Sequence, residues 1–139
     1  MADPVTPSFL DTSIVVRYLT DDPPPMAEAA ARIIEGEETL IISELALMEA
    51  AYTLASVYGL ERDMIVDLLA SLLQRENLTS LTLPKSSVLE ALDLCRGSKR
   101  VSFGDALLWA QARDAGAARL YSFDRRFPSK DLEVVGFTG

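Results

Sequence analysis

The sequence predicts an α/β fold: a single domain with a central, mainly parallel sheet of about five strands and helices on both faces. Three observations lead there. Short apolar runs of strand length alternate with longer runs of helical period, the pattern of parallel strands joined by helical crossovers. The 139 residues suit one domain, and 49% of them are hydrophobic, enough to bury a core. No repeat, low-complexity segment or linker interrupts the alternation, and the 24% charged fraction is ordinary for a globular chain. Residues 1–7 are read as a short N-terminal tail and residues 8–139 as the domain.

The elements follow in order. A strand around Ser8–Leu10 runs into Asp11, and Ile14, Val15, Val16 and Leu19 then continue at helical spacing. "DDPPP" stops that helix, and Asp22 with Pro23 is expected to cap the next, "MAEAAARIIEG", which Gly36 ends. "TLIIS" reads as a short buried strand. "ELALMEAAYTLASVYG" is a helix closed by Gly59. "ERDMIVDLLASLLQRE" is an amphipathic helix with Met64, Ile65, Leu68, Leu69, Leu72 and Leu73 on its apolar side. "LTSLTL" alternates like a strand, and "SSVLEALDLCRG" opens with a capping-box match, Ser87 and Glu90. "SFGDALLWAQARDAG" is the last helix, ended by Gly116, and "ARLYSF" and "LEVVGF" are the final strands.

Composition narrows the chemistry. There is no histidine, which excludes Ser-His-Asp and Cys-His nucleophilic systems and the commonest general base. The lone Cys95 stands at a helical apolar position and reads as core. A zinc site is disfavoured, so any metal must bind through oxygen, which points to magnesium or manganese. The net charge is -8, so nucleic acid would need a local basic patch together with metal ions. The segment "MADPVTPSFLD" has neither a basic nor an apolar leader region, and no apolar run nears the ~20 residues of a membrane span. The expected setting is cytoplasmic, with no membrane contact.

Four carboxylates stand out, each with two readings. Asp11 opens a helix, where Asp is a good N-cap, and it also lies at the carboxyl end of a strand, where α/β sheets gather ligands. Glu49 is the only charged residue in "LALMEAAYTLASVYGL". A helix apolar all round is expected to be buried, and an ionised Glu there needs a partner; a metal ion would serve, as would a local pairing or a narrow exposed stripe. Asp105 forms an S-x-x-D match with Ser102, and an acid in a first turn can cap and still face a cleft. Asp114, nine residues on, falls on the opposite side of that helix and reads as surface. Asp124 ends a strand-like run and is either a turn carboxylate paired with Arg125 or Arg126, or a site member. Parallel topology brings such positions to one sheet edge, where packed carboxylates repel until a divalent cation intervenes. Such an ion polarises a phosphoryl oxygen and activates water, chemistry that needs no histidine.

"FLDTSIVVRYL", "LALMEAAYTLASVYGL", "SFGDALLWAQARDAGA" and "LYSFDRRF" together resemble the four acidic motifs of PIN-domain ribonucleases, most closely VapC-type toxins of toxin–antitoxin pairs. The likeness spans nearly the whole chain, and its specificity lies in the ordered set. It implies that Asp11, Glu49, Asp105 and Asp124 are catalytic and hold Mg2+ or Mn2+, with Ser13 and Ser122 supporting them. It implies metal-dependent endonucleolytic cleavage of single-stranded or loop RNA by metal-activated water, leaving 5′-phosphate and 3′-hydroxyl ends. It further implies a homodimer inhibited by a cognate antitoxin protein. Glu44 is a competing second acid, but it stands at the helix start and is assigned to that terminus.

The basic residues are clustered. Arg96, Lys99 and Arg100 in "RGSKR" directly precede "SFGD", Arg125 and Arg126 follow Asp124, and Arg17 lies six residues past Asp11. All six are candidates for RNA phosphates, with Arg96 equally placed to serve a helix C-terminus. Tyr52, Tyr58 and Trp109 are assigned to core or dimer surface rather than to base stacking. The leading expectation is therefore a Mg/Mn-dependent endoribonuclease. The alternative is a catalytically silent PIN-like module that binds RNA or protein. A phosphatase is disfavoured because Asp11 is followed by Thr12 and Ser13 rather than by an Asp-x-Asp pattern.

Overall fold

A computed structural model of the chain describes residues 6–136; residues 1–5 of the expected tail and 137–139 of the expected domain lie outside the described residues. Among the described residues the order is β1 (Ser8–Phe9), α1 (Thr12–Thr20), α2 (Pro24–Ile34), β2 (Leu40–Ile42), α3 (Glu44–Ser56), α4 (Arg62–Leu73), β3 (Leu78–Ser80), α5 (Lys85–Cys95), α6 (Phe103–Asp114), β4 (Arg119–Tyr121) and β5 (Glu133–Val135). All strand pairs are parallel, as the alternation requires. Leu40 lies opposite both Ser8 and Leu78, so β2 is the middle of a β1-β2-β3 sheet.

The expected central sheet of about five strands is corrected here. The strands divide into a three-stranded sheet and a separate β4-β5 pair, with Arg119 opposite Glu133. β1 is two residues long and sends the amides of Ser8 and Leu10 to Thr39 and Ile41 on the β2 side. Among the described residues β1 forms no ladder on its other edge, so the β4-β5 pair stays separate.

The core is aliphatic with one indole. Ile34, Leu40, Ile42, Leu47, Leu54, Leu69, Leu73 and Trp109 are fully buried, at about 1.5–3 kcal/mol for each large apolar side chain taken from water. Cys95 is buried among them, as expected, and burial pushes its thiol up to about 11, far from a reactive thiolate.

Helix ends explain how the chain aims its polar groups. Asp11, Ser43 and Ser102 each cap a helix by accepting a backbone N–H, from Ser13, Leu45 and Asp105 respectively. At the other end of α3, Gly59 takes a left-handed φ of 64°, and the Leu60 amide returns to the Leu54 carbonyl at 3.0 Å. Two expected caps are corrected. Pro23 precedes α2 without a side-chain cap, while the Asp22 carboxylate accepts from the Tyr58 hydroxyl at 3.0 Å. α5 starts after Pro84, so Ser87 is already inside its first turn, and Glu90 pairs with Arg113 at 2.8 Å rather than closing a capping box.

Candidate active site

The carboxyl end of β1 delivers Asp11 to the start of α1. Its Oδ2 accepts from the Ser13 amide at 3.0 Å and from the Ser13 hydroxyl at 2.6 Å. Those two bonds, the hydroxyl first, hold the Asp11 carboxyl below the usual aspartate range, against a small opposing effect of burial. Ser13 therefore both aims Asp11 and keeps it ionised.

The next residue reaches across to another element. The Thr12 hydroxyl donates to Glu49 Oε2 at 3.0 Å, which ties the first turn of α1 to the middle of α3. α3 packs against both α1 and α6. The approach to α6 is close: a Cβ built on Gly104 would stand 3.1 Å from the sulfur of Met48, the neighbour of Glu49. Gly104 immediately precedes Asp105, whose amide donates to Ser102 Oγ at 3.0 Å. Asp11, Glu49 and Asp105 thus sit on three helices that meet at α3. Among the described residues none of the three forms an ion pair.

Glu49 corrects one expectation. It is exposed, on a wet stripe of α3 that also carries Leu45, Met48 and Tyr52. The buried acid is Glu44, 5% exposed. Its carboxylate accepts from the Thr82 amide, the Thr82 hydroxyl at 2.8 Å and the Leu83 amide at 3.1 Å. Burial pushes its pKa up, but the bonds from Leu83 and Thr82 outweigh that and leave it lowered. Glu44 is a structural clamp on the segment after β3. Its S-E-L context beside a strand is the only signal of this in the sequence. Thr12 likewise escapes a reading of the sequence; its position between Asp11 and Ser13 hides a role that only the crossing of α1 and α3 creates.

Asp124 follows β4 in the other sheet. Its amide donates to Ser122 Oγ at 3.0 Å, its Oδ1 accepts the Arg126 amide at 2.8 Å, and the Arg126 guanidinium lies 3.7 Å away. Among the described residues no hydrogen bond joins it to the other three acids.

The basic candidates separate into held and unpaired cations. Arg17 bonds the Asp22 carbonyl and the Tyr58 hydroxyl, at the end of α1 away from Asp11. Arg96 is paired to Asp67 at 2.6 Å and to Asp93 at 3.7 Å. Gly97 donates to Asp63 at 2.7 Å, and Arg62 donates to the Val101 carbonyl while lying 5.4 Å from the centre of the Phe103 ring. The loop is thereby pinned to α4. Lys99, Arg100 and Arg125 are exposed and have no ion-pair partner among the described residues.

The donors present are all hard oxygens, which suits a magnesium- or manganese-sized cation. Among the described residues, however, no three acids are grouped closely enough to form a cage. A small divalent ion commonly needs only one or two carboxylates, with water and substrate phosphate filling the rest of its shell. Asp11 and Glu49, the latter bonded to the neighbour of Asp11, offer two such carboxylates.

No helix among the described residues is long and apolar enough to cross a membrane. No curated protein matches the chain. A model of the PIN domain family does match, over residues 8–132, from β1 to the edge of β5. PIN domains are generally nucleases and generally use divalent metal ions. With strand-end Asp11, Glu49 and Asp105 all inside the matched span, the chain belongs to the PIN domain family.

Proposed function

We propose that this PIN domain is a magnesium- or manganese-dependent endoribonuclease and the toxin of a VapC-like toxin–antitoxin pair. One observation carries the catalytic reading: Thr12, the residue next to Asp11, holds the Glu49 carboxylate, and no cation is paired to Asp11, Glu49 or Asp105 among the described residues. Asp11, Glu49 and Asp105 would hold the ion, and Asp124 would complete the set. When bound, the ion supplies Lewis-acid polarisation of the scissile phosphate and activation of water. The chain does the positioning. Ser13 fixes the Asp11 carboxylate and keeps it charged, Thr12 holds Glu49, and Ser102 fixes the turn that carries Asp105. Ser122 fixes the turn that carries Asp124. Lys99, Arg100 and Arg125 supply cations to RNA phosphates in an otherwise acidic protein.

The partner assignments, a homodimer and a cognate antitoxin, rest on the resemblance. The exposed apolar residues Leu45 and Tyr52 of α3, and Val57 just after it, offer surface for such partners. A cytoplasmic setting belongs to the same reading.

The test is incubation of the purified protein with mixed RNAs in Mg2+ or Mn2+, with EDTA and Asp11→Asn as controls. Metal-dependent cleavage leaving 5′-phosphate ends and lost in Asp11→Asn is expected. No cleavage by the wild type would overturn the enzyme reading. A second reading, a silent PIN module, is favoured by the pairing of Asp124 with Arg126, which satisfies that acid without a metal. RNA binding without turnover would establish it.

A further inference from the structure

The turn after β4 does more than carry Asp124. Ser122 donates its amide to the Val135 carbonyl at 3.0 Å, so the turn is stitched to β5. The Asp124 amide returns to Ser122 Oγ, the Arg126 amide to Asp124 Oδ1, and the Phe127 amide to the Asp124 carbonyl at 3.1 Å. Gly136 closes in from the other side: a Cβ there would stand 2.5 Å from the Ser122 carbonyl oxygen, so only glycine permits this approach. A turn this tightly bonded presents its outward side chains in a fixed arrangement.

Two of those side chains suit a nucleotide. Phe123 is 83% exposed, a large apolar ring turned to water. Arg125 is exposed and without an ion-pair partner among the described residues, because Asp124 takes Arg126 instead. Phe123 and Arg125 line one pocket of about 320 Å³ with Asp124, Phe127 and Ser129. That volume lies at the small end of ligand sites. Aromatic faces that stack bases beside cations that meet phosphates are the basis of single-strand recognition. The hydroxyl of the other exposed aromatic nearby, Tyr121, accepts from Arg119 on the same strand.

We propose that Phe123 and Arg125 form a subsite for one unpaired nucleotide of RNA, the ring stacking on the base and the guanidinium meeting its phosphate. This rests on the reading of single-stranded RNA as substrate and adds which residues, next to Asp124, hold one of its nucleotides. Unpaired RNA offers a free base face, whereas a duplex buries it in the stack. In a chain of net charge -8, the subsite joins an apolar surface to a cation without an ion-pair partner among the described residues.

The test measures binding of a fluorescein-labelled single-stranded RNA oligomer by anisotropy, and its cleavage in Mn2+, with the full chain. Phe123→Ala is expected to weaken binding roughly tenfold or more, the loss of one stacked base, and to raise KM with little change in kcat. Phe123→Trp is expected to restore binding, and circular dichroism checks that each variant is folded. Wild-type affinity in Phe123→Ala, or in Phe123→Leu, would overturn stacking while leaving the ribonuclease reading intact. Equal binding of a duplex, equally sensitive to Phe123→Ala, would also overturn it. A wild type that neither binds nor cleaves any RNA would remove both readings together.

Discussion

The hydroxyl of Thr12 and the carboxylate of Glu49 are 3.0 Å apart, and this bond joins the residue after Asp11 to the middle of α3. Thr12→Val keeps the shape and removes the donor. The bond is solvent-exposed, so the stability loss is expected to stay within about 1 kcal/mol. Cleavage is expected to fall much further, because Glu49 loses the hydroxyl that holds its carboxylate. Thr12→Ser, which keeps the hydroxyl, is expected to retain most activity. The comparison is initial cleavage rates beside urea unfolding; a Val variant as fast as wild type would remove Thr12 from the site.

Glu44 links stability to pH. Its folded pKa is lowered by the Leu83 and Thr82 bonds despite burial, so the unfolded state binds the proton more tightly. Its contribution is therefore complete above the unfolded value, about 4.3, and fades as pH falls through the folded value. Glu44→Gln sets an amide NH2 against the Thr82 and Leu83 donors and is expected to cost about 1–3 kcal/mol at neutral pH. It is also expected to lose less stability than wild type on acidification. Urea titrations at neutral and acid pH check both, and parallel pH profiles would contradict the clamp.

What is legible in the sequence follows from local physics. Ser102 and Asp105 form the expected cap because both groups lie within one turn. Asp11 caps α1 and Ser13 holds it for the same reason. Long-range features are hidden. The apolar content of α3 suggests burial on all sides, yet Leu45, Met48 and Tyr52 face water, because apolar residues on a helix bury only where another element covers them. Glu44 and Glu49 exchange their expected environments on that account. The division of the strands into two sheets depends on which edges meet, and β1 carries too few residues to signal it. The start of α5 departs from the expected one because Pro84 opens the helix just ahead of a capping-box pattern.

The basic loop before α6 separates structural from substrate-facing cations. Arg96 is paired to Asp67 and Asp93, whereas Lys99 and Arg100 are not paired among the described residues. Alanine at both Lys99 and Arg100 is expected to weaken single-stranded RNA binding and lower its salt slope, by about 0.7 for each phosphate that the protein no longer neutralises. Arg96→Ala is expected to leave the slope unchanged and cost at most about 1 kcal/mol of stability. Binding constants measured across a salt series distinguish the two. A slope altered by Arg96→Ala alone would reverse the assignment.

Trp109 anchors the far side of α6. It is fully buried, its indole N–H donates to the Lys130 carbonyl at 2.8 Å, and Arg113 lies 4.6 Å from the ring centre. The bond ties α6 to the segment that leads into β5. Arg113 in turn pairs with Glu90 of α5 and Asp131 of that segment, so the indole sits beneath a polar bridge between α5, α6 and β5. Trp109→Phe retains most of the volume, strands the Lys130 carbonyl and is expected to cost about 1–3 kcal/mol. Trp109→Ala adds a cavity and is expected to cost about 3–5 kcal/mol. Because β5 holds the Ser122 turn, Trp109→Phe is also expected to loosen Asp124 and Phe123 before Asp11 and Glu49. Hydrogen exchange at the Ser122 and Phe127 amides, faster in the variant while the Ile14 amide of α1 is unchanged, is the expected signature.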